Sequence, residues 1–288
     1  MKIAFCYSGQ PRTWANCAPG HFKLIEQLNK RFNATTDIFC HAWDFNTKPH
    51  AVLKSKINTS VDDYLTVKGT PLSEYEKEQF LSVFEPETFI FEDEEKSKSR
   101  ILQIRNWGQE LKEKHGGTVI EWAASQLYGI MHSAHLKKKH EYENNIKYDM
   151  CFRMRYDLYF DDHQIDWFLS DRNTDINIPK YNTLYSCHTS LSPTPPFRRA
   201  GDIFWYSDSV TFDRICDVYR WLPQFGIRPF GTTDVGVSPE HVLYYYAKML
   251  RMQIHALTVD PKIYRQSDYL INKVEAGQPA ELGGHELM

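Results

Sequence analysis

The stretch YDMCFRMRYDLYFDD, residues 148–162, places Arg153, Arg155 and Asp157 inside an apolar and aromatic run that otherwise has the composition of a buried strand. Buried charges are costly unless they pair with each other, with a metal ion or with a ligand. Alternate positions of a strand project to one side, so the pattern predicts two guanidinium groups and a carboxylate together at the strand's end. They form either an internal salt-bridge cluster or a ligand site. In a ligand site the carboxylate would hold Mg²⁺ or Mn²⁺ on a diphosphate, and an arginine would neutralise the remaining phosphate charge.

The segments before this stretch predict a doubly wound, mainly parallel sheet. The runs KIAFCY (2–7), TDIFCHAW (36–43) and ETFIFE (87–92) are short and apolar, as expected of strands that are covered on both faces. Helical patterns separate them, and the longest helix is predicted over about 118–143. This alternation favours an α/β, Rossmann-like sheet with helices on both faces. Ligands of such sheets bind outside the carboxyl ends of the strands.

The second half of the chain is less regular than the first. We expect a single domain over 1–274, divided into 1–162 and 163–274, with a disordered tail over 275–288. The segment 171–200 contains SPTPPFRR, and its proline and serine content predicts a loop. Further on, GDIFWYSD and MQIHALTV are predicted strands, and VTFDRICDVYRWL and SPEHVLYYYAKML are predicted helices.

Composition excludes several classes of protein. A chain of 288 residues with 42% apolar residues is long enough for a real core. Lys+Arg 34 against Asp+Glu 37 is a near balance, which argues against a dedicated nucleic-acid-binding protein. The six cysteines contain no CxxC pair, so we expect buried free thiols in a reducing compartment. No segment approaches the about 20 apolar residues of a membrane span, and we expect a cytoplasmic protein.

The turn SGQPR, residues 8–12, follows the first predicted strand. A small glycine-containing turn lets backbone N–H groups approach a ligand, and Arg12 is able to reach a phosphate as a forked donor. The sequence fits a plain strand-to-helix turn with a surface arginine equally well, because it is neither a P-loop nor a dinucleotide fingerprint.

Two further acidic residues lie near a predicted helix start, in FGTTDVGVSPEHVL, residues 230–243. Asp234 and Glu240 flank a glycine-containing turn, a position suited to a carboxylate that acts as a base toward a substrate hydroxyl. The ordinary alternative is an aspartate in a turn and a glutamate in a first helical turn, where the helix dipole favours negative charge.

Four stretches, IAFCYSGQPRTW, TDIFCHAWD, SQLYGIMHSAHL and YDMCFRMRYDLYF, together resemble a group of bacterial and viral sugar transferases with a GT-A-type nucleotide-sugar fold. The resemblance spans most of the first 160 residues and continues through GDIFWYSDS and SPEHVL, which implies a nucleotide-binding half over 1–162 and an acceptor-side half over 163–274. It implies a sheet in which the first strand's loop meets the nucleotide, and an acidic motif after the fourth strand meets the metal and the diphosphate.

The resemblance also implies roles for individual residues. Asp157 stands where the family's Asp-x-Asp motif ends and is the implied metal ligand, whereas Arg155 replaces the first aspartate and could supply part of the cation's charge. Glu240 resembles the acidic residue at the head of the acceptor-side helix. The residues implied to bind the donor are Ser8, Gly9, Gln10, Arg12, Gln126, Arg153, Arg155 and Asp157.

These observations predict a glycosyltransferase, of hexosyl or related type, that moves a sugar from a nucleotide-diphosphate donor to a hydroxyl of a glycan or lipid-linked acceptor, with Mn²⁺ or Mg²⁺ as the implied cofactor. Catalysis would come mainly from placement and from neutralisation of the leaving diphosphate. One alternative is a noncatalytic nucleotide- or glycan-binding module on the same fold. A second alternative is a metal-dependent phosphohydrolase or nuclease.

Overall fold

A seven-stranded mixed sheet forms the centre of the molecule. The computed structural model describes residues 1–11, 13–44, 71–93, 96–97, 117–170, 176–187, 189, 199–227, 238–259 and 261–263. Its strands are β1 (Lys2–Gly9), β2 (Thr35–Trp43), β3 (Thr88–Glu92), β4 (Met150–Met154), β5 (Leu158–Tyr159), β6 (Thr183–Ser186), β7 (Phe204–Ser207), β8 (Gln253–Ala256) and β9 (Lys262–Ile263). The large sheet has the order β3-β2-β1-β4-β7-β6-β8, and β5 pairs with β9 separately.

Parallel pairing dominates this sheet, as the sequence predicted. β1 pairs in parallel with β2 and β4, β2 with β3, and β6 with β8. Only β7 runs antiparallel to its neighbours β4 and β6 within the described sheet. The predicted α/β architecture with a mainly parallel sheet is therefore confirmed.

The described helices cover both faces of the sheet. They are α1 (Trp14–Phe32), α2 (Glu74–Phe84), α3 (Gly117–Asn144), α4 (Asp162–Phe168), α5 (Ser209–Cys216), α6 (Val218–Ile227) and α7 (Pro239–Met249). The run VTFDRICDVYRWL was predicted as one helix. It forms two helices, since α5 ends before Asp217 and α6 begins after it. No helix in the described ranges is both long and apolar enough to cross a membrane.

Strand alternation divides the core into two layers. Ile3, Phe5 and Tyr7 of β1 pack in the layer that contains α1, whereas Ala4 and Cys6 pack in the layer that contains α3. All six cysteines are buried free thiols, as predicted. The α3 layer matters for function because polar side chains of several strands face it.

Capping residues fix the start of the helix that carries Glu240. Ser238 precedes α7, its side chain accepts a hydrogen bond from the His241 backbone N–H, and Pro239 occupies the first helical position. The division at 162 and 163 stays a prediction, and the tail 275–288 lies outside the described residues.

Candidate functional site

The carboxyl ends of β1 and β4 lie side by side in the sheet. Cys6 of β1 is in register with Arg153 of β4, and Ser8 is in register with His41 of β2. Gly9 ends β1 with φ 129°, a conformation that side-chain-bearing residues rarely adopt, so glycine is required there by the backbone. Gln10 follows at this edge, half-buried. Two predicted site residues, Arg12 and Asp234, lie outside the described residues.

Arg153 is fully buried and has unused hydrogen-bonding capacity. Its Nη1 donates to the carbonyl oxygen of Met154, but its Nε and Nη2 have no hydrogen-bond partner among the described residues. Burial, and then the nearby charge of Arg155, lower the pKa of Arg153 to about 10, which still leaves the guanidinium charged at neutral pH. A buried cation with two unused donors fits an anion that is able to accept from it.

The predicted alternation of Arg153, Arg155 and Asp157 along one strand is wrong. β4 ends at Met154, and Arg155 and Asp157 lie in the turn that follows it. There, Arg155 donates from Nε to Oδ1 of Asp157 and from Nη2 to Oδ2, each at 2.7 Å. Both charged side chains of this turn are therefore engaged with each other.

This forked pair bears on the predicted metal ligand. Both carboxylate oxygens of Asp157 accept from a guanidinium, and a second one, Arg153, lies close by in sequence and space. Among the described residues, no group of three or more histidine, cysteine, aspartate or glutamate side chains is arranged to hold a metal ion. The side chains around Asp157 therefore do not fit a divalent cation.

Asp202, which sequence reasoning missed, joins this group from the segment before β7. It is buried, and Gln126 of α3 donates from its Nε2 to the Asp202 carboxylate. Burial, and then the neighbouring Glu240, raise the pKa of Asp202 to about 6, while Arg155 and Arg153 oppose this effect. The dipeptide Gly-Asp in GDIFWYSD was the available signal, since an acidic residue at the start of a predicted core strand also requires an explanation.

Backbone contacts hold Asp202 beside α7. The Ala200 N–H donates to the carbonyl oxygen of Glu240 at 3.1 Å, and the Gly201 N–H donates to the carbonyl oxygen of Cys187 at 3.1 Å. A Cβ atom at Gly201 would lie 2.0 Å from that same carbonyl oxygen. Only glycine allows the two backbones to approach this closely.

Several buried polar atoms in the same layer have no hydrogen-bond partner among the described residues. Strand alternation and register place their side chains on the α3 side of the sheet or on α3 itself. They are His41 Nδ1, Ser8 Oγ, Gln126 Oε1, Trp205 Nε1, and Nε and Nη2 of Arg153. Buried polar groups normally have partners, so this concentration points to bound water or a ligand in the layer.

A carboxylate fixes the orientation of His41 at one end of this layer. His41 Nε2 lies 2.9 Å from Oε2 of Glu92, and Oε1 of Glu92 accepts from Tyr128 OH at 3.0 Å and from Ser97 Oγ. Although burial opposes it, hydrogen bonds from His41 and Ser97 lower the pKa of Glu92 to about 2. A hypothetical Cβ on Gly129 of α3 would lie 3.2 Å from His41 Nδ1 and 3.4 Å from the Ser8 side chain, so glycine brings the helix close to both strands.

The structure thus brings together most of the described candidates. One interacting group contains Arg153, Arg155, Asp202, Gln126 and Glu240. The strand next to it ends with Ser8 and Gly9. The class that this arrangement defines is an α/β protein with a buried, arginine-containing site at the carboxyl ends of parallel strands.

No family model and no curated protein sequence matches this chain. Among solved structures, it is similar to a glycosyltransferase involved in the glycosylation of the major capsid of PBCV-1, with 9% identity, 89% of this chain and 82% of that chain covered, and a TM-score of 0.31. It is also similar to mouse xyloside xylosyltransferase 1 in its apo form, with 8% identity, 89% and 84% coverage, and a TM-score of 0.36.

Proposed function

We propose that this chain is a glycosyltransferase that moves a sugar from a nucleotide-diphosphate donor to a hydroxyl of a glycan or lipid-linked acceptor. The observation that carries the proposal is the buried Arg153 guanidinium, whose Nε and Nη2 lack hydrogen-bond partners among the described residues. Leaving buried donors of a charged group unsatisfied costs more than leaving neutral ones unsatisfied. A diphosphate supplies several charged acceptor oxygens, and the carboxyl ends of parallel strands are where such ligands bind.

The neighbouring residues suit the departure of a nucleoside diphosphate. Arg155 lies close enough to Arg153 to lower its pKa, but Arg155 is held in a forked pair with Asp157, so the guanidinium of Arg153 supplies the positive charge that a ligand would meet. In sugar transfer, negative charge develops on the diphosphate as its bond to the sugar breaks, and fixed positive charge in a dry site stabilises it. Ser8 and Gly9 end β1 beside this position, where backbone groups are able to approach the nucleotide.

The donor proposal is tested by calorimetric titration of the whole chain with UDP, GDP, CDP, dTDP and pyrophosphate. Arg153→Met removes the charge while keeping a long side chain. Losing charge-assisted hydrogen bonds worth about 1.5–3 kcal/mol is expected to weaken diphosphate binding by roughly 10- to 150-fold. Arg220→Met is the control, because the Arg220 side chain is 61% exposed and makes only a long contact to Asp217.

Transfer is tested separately, since a noncatalytic binding module would also bind a diphosphate. Incubation of the chain with nucleotide sugars and a panel of glycan and lipid-linked acceptors is expected to release nucleoside diphosphate and form a glycosidic product. Binding without release or transfer would favour the noncatalytic module. Equal dissociation constants for Arg153→Met and the parent chain would remove Arg153 from the ligand site.

A further inference from the structure

Asp202 is a buried acid of the site to which donor binding assigns no role. It lies beside Gln126 of α3, which donates to it, and near Glu240 of α7, Arg153 of β4 and Arg155 after β4. Gln126 donates a hydrogen bond to Asp202, and the charges of the other three side chains act on it. Asp202 is thus close both to the arginines at the end of β4 and to the start of α7, where the resemblance places the acceptor side.

We propose that Asp202 is a catalytic residue that takes the proton of the acceptor hydroxyl, with Gln126 orienting its carboxylate and Glu240 as its acidic neighbour. This inference rests on the proposed function. It replaces the sequence-based assignment of that task to Glu240 or Asp234.

The step balances without a further reactant. The acceptor O–H bond breaks and its proton moves to a carboxylate oxygen of Asp202. The acceptor oxygen forms a bond to the anomeric carbon of the donor sugar. The bond from that carbon to the diphosphate oxygen breaks, and its electron pair leaves with the diphosphate, next to Arg153 and Arg155. The proton on Asp202 passes to water after the products leave.

The other carboxylates are less suited to this task. Both oxygens of Asp157 accept hydrogen bonds from Arg155 at 2.7 Å, so both are already engaged in that pair. Glu240 lies in the first turn of α7 and is only half-buried, so water reaches it more readily than it reaches Asp202. Asp202 is buried beside a second acid, and a base is most effective when its pKa lies near the working pH.

The main test compares Asp202→Asn with the parent chain in donor binding and in transfer. Asparagine keeps the size of the side chain but accepts no proton at neutral pH. We expect the dissociation constant for nucleoside diphosphate to change by less than about threefold, and kcat to fall by about 10²- to 10⁴-fold. The control is Asp162→Asn, since Asp162 is 80% exposed in a surface pair with Lys23, and its kcat is expected to match the parent. A kcat for Asp202→Asn within about threefold of the parent would overturn the inference.

A pH profile separates proton transfer from a structural role and remains informative if Asp202→Asn folds poorly. The acidic limb of kcat/KM for the parent is expected near pH 6, where Asp202 titrates. Glu240→Gln removes the negative neighbour, so the limb should move to lower pH, while kcat falls far less than in Asp202→Asn. An unmoved limb, or a loss of kcat equal to that of Asp202→Asn, would contradict the proposal. If the parent chain binds no diphosphate at all, the proposed function itself fails, which is a different result from these.

Discussion

Arg155 donates two parallel hydrogen bonds to Asp157, from Nε to Oδ1 and from Nη2 to Oδ2, each 2.7 Å long. The Asp157 side chain is 2% exposed and that of Arg155 is 15% exposed, so the pair is largely removed from water. Forked geometry with both partners charged gives strong hydrogen bonds. This pair explains two of the three charges at the end of the core strand, because Arg155 and Asp157 neutralise each other. The third charge, on the buried Arg153, is not explained by the pair.

Asp157→Asn is therefore expected to destabilise the protein. The variant leaves the Arg155 guanidinium facing an amide group in a poorly solvated turn, and breaking a buried pair by removing one charge costs about 3–5 kcal/mol. The free energy of unfolding, measured with urea and with the slope of the transition compared between variants, checks this. A variant that melts at or above the temperature of the parent would instead indicate a carboxylate that repels its surroundings until a cation binds it.

Gly201→Ala is expected to damage both stability and the site. The added Cβ would lie 2.0 Å from the backbone carbonyl oxygen of Cys187, so one backbone must move, and the segment that carries Asp202 would move with it. Overpacking usually costs about 1–3 kcal/mol, and a clash with backbone belongs at the upper end of that range. Thermal unfolding and kcat are both expected to fall.

Gly129→Ala provides the comparison, because its Cβ would meet side-chain atoms of His41 and Ser8 at 3.2 and 3.4 Å. Side chains yield more easily than backbone, so its loss of stability should be smaller. Equal losses for the two variants would show that the contact of Gly201 with Cys187 is not the limiting one.

Lys137→Met is expected to destabilise the packing of α3 against α5 without a direct effect on the site. The Lys137 ammonium is fully buried and lies 2.7 Å from Asp213, 3.1 Å from Glu141 and 2.7 Å from the hydroxyl of Ser209. Methionine leaves two acidic side chains without their shared cation, at a cost of about 3–5 kcal/mol. Denaturant unfolding measures this loss.

The control for Lys137 is a lysine two positions further along the same helix. Lys139 contacts Glu143 at 3.7 Å, and the two side chains are 68% and 53% exposed. Exposed pairs of this kind contribute about 0–1 kcal/mol, so Lys139→Met should unfold close to the parent. Similar losses in both variants would mean that lysine substitutions anywhere on α3 are harmful, and that the buried network is not special.

Local patterns in the sequence predicted the elements of the fold well. The helix predicted over about 118–143 is observed over Gly117–Asn144, and the helix predicted in SPEHVLYYYAKML is observed over Pro239–Met249. Binary patterning and capping residues act within a few positions along the chain, so a single sequence contains them. The break at Asp217 between α5 and α6 was not predicted, because apolar spacing continues across it.

The site was predicted less completely, because its contacts join distant positions. Gln126 and Asp202 are 76 positions apart, and the strand that was predicted to carry Arg153, Arg155 and Asp157 ends at Met154, before two of them. Arg153 was found because a charge inside an apolar run is visible in the sequence. Asp202 was missed because its burial beside Glu240 depends on how β7 and α7 pack, which no local pattern specifies.

The titration of His21 is expected to lower the free energy of unfolding at acidic pH. It is fully buried on α1, its Nε2 lies 2.6 Å from the carbonyl oxygen of Leu158, and its ring packs against Tyr7 and Phe160. Burial lowers the pKa of His21 to about 4, although the Leu158 carbonyl and the charge of Asp157 favour the protonated form. The folded protein therefore keeps His21 neutral at pH values where the unfolded chain protonates it.

Because the folded-state pKa is lowered, the unfolded chain binds the extra proton between pH 6.5 and about 4, so the free energy of unfolding falls as the pH is lowered through this window. Above pH 6.5 the effect vanishes. Across the whole window, the protonation of His21 lowers the free energy of unfolding by about 3 kcal/mol, and His21→Gln should not show this loss. Urea unfolding of both proteins from pH 7.5 to 4.5 isolates this contribution from other titrating groups, with His163→Gln, at an exposed position, as the control. Parallel stability curves for the parent and His21→Gln would show that His21 binds its proton as readily in the folded protein as in the unfolded chain, which contradicts a pKa lowered by burial.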